Sequence, residues 1–227
     1  MNDFTFAHRD EGFDNHIDQS IRGYSIMHDD VINMSRYFVE DNTNVVDIGC
    51  STGKTLDAMQ KQNTHFAPAA NYIGVEYAEG FVENMKNRME ENPTLDLRHG
   101  DIRDFKFENC NLVTSLFTLQ FMPKNCRRDV IQNIYNGLNY GGAFIFAEKT
   151  VAEDARIQDM MTFQYYDYKR KNFTEKDIME KEVTLRNMLK PNTWKEITSM
   201  LACSDFGFSK IQPFWQNHMF VAAIAIK

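Results

Sequence analysis

The stretch that decides the fold is Val45-Val46-Asp47-Ile48-Gly49-Cys50-Ser51-Thr52-Gly53-Lys54-Thr55. Its β-branched start reads as a buried strand and its glycines as a turn. Thr55 to Gln62, with Leu56 and Met59 at helical spacing, reads as the helix that follows. The alternation continues outward. Asn71–Glu76 reads as a second strand. Phe81, Met85 and Met89 recur every four residues on a charged background, the mark of an amphipathic helix. Leu95–Leu97 and Asn111–Phe117 read as two further strands. Arg127–Leu138 reads as a helix that closes on Asn139-Tyr140-Gly141-Gly142, and Ala143–Glu148 as a buried strand. Apolar strands alternating with helices predict an α/β fold, a mostly parallel sheet with helices on both faces. Val151–Lys190 reads as long, charged and helical. Phe214–Ile226 reads as one or two more strands forming an antiparallel edge.

The chain has 227 residues, of which 43% are hydrophobic, the balance of an ordinary globular domain. Residues 1–227 are read as one domain, with 1–40 as a helical cap and 151–200 as a helical insertion serving as lid or dimer contact. There is no repeat and no low-complexity tract. A net charge of −7 argues against a generic nucleic-acid surface and favours a small-molecule substrate. Cys50, Cys110, Cys126 and Cys203 are scattered, without metal-ligand spacing, so no metal site and no disulfide framework are predicted. A reducing cytoplasmic setting follows. The longest apolar run, Met219–Ile226, is far short of the ~20 residues of a membrane helix. The acidic start, with Asp3, Asp10, Glu11 and Asp14, does not read as a secretory leader.

The glycine loop admits three readings. A nucleotide P-loop needs four residues between its first glycine and the Gly-Lys pair, but Gly49 and Gly53 enclose only Cys50, Ser51 and Thr52. A dinucleotide fingerprint needs glycine where Ser51 stands. The pattern acidic-x-Gly-x-x-x-Gly of S-adenosylmethionine loops fits Asp47, Gly49 and Gly53 without adjustment. Glu76 ends the second strand, where a carboxylate accepts hydrogen bonds from ribose hydroxyls. Asp101 follows the third, placed to receive an adenine amino group. S-adenosylmethionine, or its product S-adenosylhomocysteine, is therefore the predicted cofactor.

Beyond the loop, the chain resembles the carboxy-S-adenosylmethionine synthase family, a branch of the Rossmann-like class I methyltransferase fold. The resemblance rests on Ser20-Ile21-Arg22-Gly23-Tyr24-Ser25, Asp47–Ser51, Gly100–Asp104, Phe117-Thr118-Leu119-Gln120-Phe121, Gly137–Ala143, Glu148-Lys149 and Asp167–Arg170. That family makes carboxy-S-adenosylmethionine from S-adenosylmethionine and prephenate, for modification of tRNA wobble uridine, and its members are homodimers. The resemblance implies cofactor contacts at Tyr24, Gly49, Cys50, Ser51, Glu76, Tyr77, Asp101, Ile102 and the position of Leu116. The family has Asp-Asn where this chain has Glu76-Tyr77, and Asn where it has Leu116. It also has an arginine, which holds the carboxylate of the product, where this chain has Glu182. Arg22, Arg170 and Arg186 are candidate replacements, and Tyr166 is a further candidate for the substrate side. No catalytic residue is marked.

A glutamate in place of that arginine would repel a carboxylated cofactor. The leading expectation is therefore a methyltransferase on a synthase-like scaffold, acting on an unidentified small molecule. Carboxy-S-adenosylmethionine synthesis with a rearranged carboxylate site is the alternative. A non-catalytic S-adenosylmethionine-binding module is a further one.

Overall fold

A computed structural model describes residues 12–203 and 207–227. Asp3, Asp10, Glu11 and the first part of the expected 1–40 cap lie outside them. The elements are α1 (Phe13–Ser20), α2 (Tyr24–Ser35), β1 (Asn44–Ile48), α3 (Lys54–Asn63), β2 (Asn71–Glu76), α4 (Val82–Glu91) and β3 (Leu95–His99). They continue with β4 (Cys110–Leu116), α5 (Lys124–Gly137), β5 (Leu138–Lys149), α6 (Ala155–Lys169), α7 (Glu175–Arg186), α8 (Trp194–Leu201), β6 (Lys210–Asn217) and β7 (Phe220–Ile226).

The strands form one seven-stranded sheet in the order β3-β2-β1-β4-β5-β7-β6. The first five are parallel, and β7 and β6 add the antiparallel edge. Side chains alternate across the sheet as the two-residue strand period requires. Val45, Leu112, Ala143, Ile145 and Ala147 pack on one face with Met27, Leu56 and Tyr165. Val46, Val113, Phe144 and Phe146 pack on the other with Val130, Ile134, Ile197 and Leu201.

One local expectation is corrected. The run Asn139-Tyr140-Gly141-Gly142 does not stop a helix, because α5 already ends at Gly137. Gly137 has no room for a side chain: a Cβ there would stand 2.3 Å from the Phe107 Cβ. The strand begins at once, with Leu138 paired to Cys110 and Ala143 to Leu112, so residues 139–142 bulge out of β5. Gly141, at φ 81°, supplies the left-handed backbone of that bulge.

The segment between β5 and α8 is an excursion over one end of the sheet. It leaves at Lys149 and returns at Asn192, whose carbonyl accepts the Val151 N–H at 3.1 Å. Each of its helices has a side-chain start signal. Asp154 accepts the Ile157 N–H at 2.9 Å, and Thr174 with Asp177 forms a capping box that starts α7.

Candidate active site

Strand β1 pairs with β2 on one side and β4 on the other, so the strand order reverses there. Open parallel sheets bind ligands beyond the carboxyl ends of the strands at such a point. A cavity of about 530 Å³ opens there. That lies within the ~300–1,000 Å³ of small-molecule sites. It is built from the loop after β1, the ends of β2 and β3, the turn after β4, and covering residues from α1 and α7.

Two residues hold backbone conformations that side chains disfavour. Ser51 sits at φ 50° and Phe117 at φ 60°. Such strain is kept where the surroundings over-determine it, and it clusters at functional sites. Gly49, at φ +70°, donates its N–H to the Val75 carbonyl at 2.7 Å, folding the loop onto β2.

Glu76 is buried at the rim of this loop. Its Oε2 accepts the Ser51 N–H at 3.0 Å and its Oε1 accepts the Ala78 N–H at 2.7 Å. Burial pushes its acidity constant up, against the pull of these amides. Each carboxylate oxygen offers two lone pairs. The capacity left over suits a ligand's adjacent hydroxyls, the donor pattern of a ribose. This pair of acceptor oxygens fits the ribose of S-adenosylmethionine. Asp101 accepts the Arg103 N–H and Nε–H, both at 2.9 Å. The Arg103 guanidinium holds this carboxyl below the usual carboxylate range.

Among the cofactor candidates, Gly49, Ser51, Glu76, Tyr77, Asp101, Ile102 and Leu116 line the cavity. The other four stand behind it. Tyr24 is buried against the rings of His28 and Phe117. Asp47 is buried and accepts the Thr114 hydroxyl at 2.6 Å; burial pushes it up to about 7. Cys50 packs on Met85, with its sulfur 3.9 Å from the thioether. Gly53 precedes α3, where a Cβ would stand 2.5 Å from Leu97.

On the substrate side, Glu182 lines the cavity and Tyr166, Arg22, Arg170 and Arg186 do not. Arg170 is engaged instead by Asp167 and Glu175. The neighbouring Tyr165 is the cavity residue of that pair, because a one-residue step on a helix turns the side chain by about 100°. Sequence reasoning also passed over Lys149, Lys181, His16 and Gln120, which line the same cavity. Lys149 closes the resembling pair Glu148-Lys149 at a strand end, and that position was the available signal. Gln120 is the hub of the Phe117–Phe121 run. Its side-chain oxygen accepts the Lys149 N–H at 2.7 Å, and its carbonyl accepts the Lys190 N–H at 2.9 Å. His16 and Lys181 meet at 2.5 Å and join α1 to α7 across the opening.

Fold and cavity define the class of protein: an S-adenosylmethionine-dependent transferase with a Rossmann-like methyltransferase fold. Residues 45–142 match the model of a methyltransferase domain. An O-methyltransferase family protein from Burkholderia thailandensis superposes with TM-score 0.64 at 15% identity, covering 98% of this chain and 61% of that one. Human N-acetylserotonin methyltransferase, solved in complex with S-adenosylmethionine, superposes with TM-score 0.59 at 16% identity, covering 90% and 52%. The carboxy-S-adenosyl-L-methionine synthase of Staphylococcus epidermidis is 36% identical over 219 residues, 95% of this chain and 92% of its own. The synthase of Shewanella baltica is 35% identical over 233 residues, covering 100% and 94%. The chain belongs to the carboxy-S-adenosyl-L-methionine synthase family. Among the described residues no helix is long and apolar enough to cross a membrane.

Proposed function

We propose that the chain makes carboxy-S-adenosylmethionine from S-adenosylmethionine, with prephenate as the source of the carboxyl group. One observation carries this reading. The match to synthases runs the length of both chains, at 35% identity over 100% of this chain and 94% of the relative. The expected methyltransferase thus gives way to its alternative. Bound S-adenosylmethionine supplies an activated sulfonium methyl group. The chain's own residues bind and enclose: Glu76 accepts the ribose hydroxyls, the Gly49–Ser51 backbone shapes the loop beside it, and Leu185, Leu189 and Phe220 contribute apolar wall. Enclosure of this kind excludes water and strengthens charge interactions inside.

Methyl transfer to an unidentified small molecule remains the second reading, favoured by Leu116 and Glu182 at positions where the resemblance implies Asn and Arg. Mass spectrometry decides between them. Incubation with S-adenosylmethionine and prephenate should yield the carboxylated cofactor. Adenosylhomocysteine in its place, together with a methylated prephenate or a methylated co-purified small molecule, would favour methyl transfer. The same reading carries a homodimer, with apolar residues of α6 and α7 as the contact.

A further inference from the structure

Resting on the synthase reading, we infer that Lys149 holds the carboxylate added to the cofactor, and that Glu182 is the positioning residue that keeps Lys149 in place. No arginine is needed on that side of the cavity. The geometry is a cluster of four residues. The Lys149 ammonium stands 4.0 Å from Glu182 Oε2, and the Lys169 ammonium 3.8 Å from Glu182 Oε1. Both ammoniums lie over the Tyr165 ring, at 5.5 and 5.0 Å from its centroid. Lys169 is only 1% exposed and sits behind the wall; Lys149, Glu182 and Tyr165 line the cavity itself.

Hydrogen bonding gives this cluster its chemistry. The Lys149 and Lys169 ammoniums share the Glu182 carboxylate. Tyr165 adds no negative charge, because burial holds its hydroxyl above the ordinary value and hence neutral. An ammonium against apolar walls is costly without an acceptor for its N–H groups. A carboxylate on the bound ligand supplies one. Lys149 is the member that can reach it. At 4.0 Å it is within ion-pair range of Glu182 but beyond hydrogen-bond range, which leaves its three N–H donors directed elsewhere. Its backbone is fixed by the Gln120 side chain at 2.7 Å.

Glu182 therefore does not act as the bare repulsive charge that its place in the sequence suggests. Its two oxygens each face an ammonium. Burial pulls Lys149 below its ordinary value, and Glu182 pulls it back toward the charged form. Among the described residues, the charged and titratable groups grouped with Lys149 are Glu182 from α7, with Lys169 and Tyr165 from α6.

The test is calorimetric titration of the full chain with adenosylhomocysteine and with carboxy-S-adenosylmethionine. Lys149→Met should weaken the carboxylated ligand at least tenfold and leave adenosylhomocysteine within about twofold, which also shows that the variant is folded. Lys149→Arg should restore most of the loss. Glu182→Gln should move the alkaline loss of carboxylated-ligand binding to lower pH, since Lys149 then deprotonates sooner; a packing role alone would not move that profile. Equal affinities of wild type and Lys149→Met for the carboxylated ligand would overturn the inference. So would weaker binding of that ligand than of S-adenosylmethionine by the wild type. The synthase reading fails separately: prephenate and S-adenosylmethionine would then yield no carboxylated product, even where the supplied ligand still binds through Lys149.

Discussion

Gly49 and Thr118 approach so closely that a Cβ on Gly49 would stand 2.2 Å from the Thr118 hydroxyl oxygen. The contact clamps the loop after β1 to the turn after β4, at the point where the strand order reverses. It joins the two segments that carry the strained residues Ser51 and Phe117. Gly49→Ala should therefore cost more than its left-handed backbone alone, on the order of 2–3 kcal/mol. Thermal melting should show a large loss, and calorimetry a loss of S-adenosylmethionine binding. Thr118→Gly in the same chain should recover part of it. A melting temperature unchanged by Gly49→Ala would mean that the two segments do not depend on each other.

Glu76 is predicted to dominate cofactor affinity. Glu76→Ala removes an acceptor from the Ser51 and Ala78 amides as well as from the ligand. Charge-assisted hydrogen bonds contribute roughly 1.5–3 kcal/mol each. Titration with adenosylhomocysteine should show at least a tenfold loss, or about 1.4 kcal/mol. Glu76→Gln, which keeps one acceptor oxygen, should lose less. Unchanged affinity in Glu76→Ala would take this residue out of the site.

The legible parts of this molecule are those whose signal is local. The strand, glycine turn and helix from Val45 to Gln62 read directly, because period and turn chemistry lie within a few residues of each other. The end of β2 at Glu76 follows from the same alternation. What escaped reading depends on distant partners. Tyr165 and Tyr166 are equivalent in sequence; packing of Tyr165 on Phe220, ring to ring at 5.3 Å, sets which one faces inward. Glu182 looks like a repulsive carboxylate until α6 and β5 bring Lys169 and Lys149 beside it. The turn-rich run at residues 139–142 was misread because a bulge inside a strand and a helix stop use the same residues.

Lys54 should prove irrelevant to phosphate. It opens α3 outside the cavity lining, and its charge acts with burial to hold His28 below its ordinary value. Lys54→Ala should leave cofactor affinity within about twofold, a change below ~0.5 kcal/mol. Mg-ATP should not raise the melting temperature of the wild type. A thermal shift with Mg-ATP that disappears in Lys54→Ala would restore the P-loop reading.

Glu148 predicts a pH dependence of stability. Burial pushes this carboxyl up to about 8, against the nearby Arg127 and the Leu119 and Gln120 amides. Below the ordinary glutamate value the folded and unfolded chains both carry the proton. Between that value and about 8 only the folded chain carries it, so stability is lost as pH rises, and the loss levels off above about 8. Glu148→Gln abolishes this titration and keeps an acceptor oxygen. Urea unfolding at about pH 6 and about pH 9 should show the wild type losing more stability than the variant. Equal slopes would assign the pH dependence to other groups.

The exposed apolar residues of α6 and α7 predict the assembly. Ile157, Met160 and Phe163 recur at three-residue steps on α6, and Met179 and Val183 lie one turn apart on α7. Phe163 is 63% exposed and Val183 61%. Single exposed apolar residues are ordinary; a group of large ones on neighbouring helices marks an interaction surface. A homodimer would bury these residues and leave the capped helix starts in water. Light scattering at about 50 μM should return about twice the chain mass of 26.5 kDa. Phe163→Glu combined with Val183→Glu places like charges in the contact and should return the monomer mass. Circular dichroism should stay unchanged, because both side chains point outward. A wild-type mass near 26.5 kDa would leave α6 and α7 as a cover over the chain's own cavity.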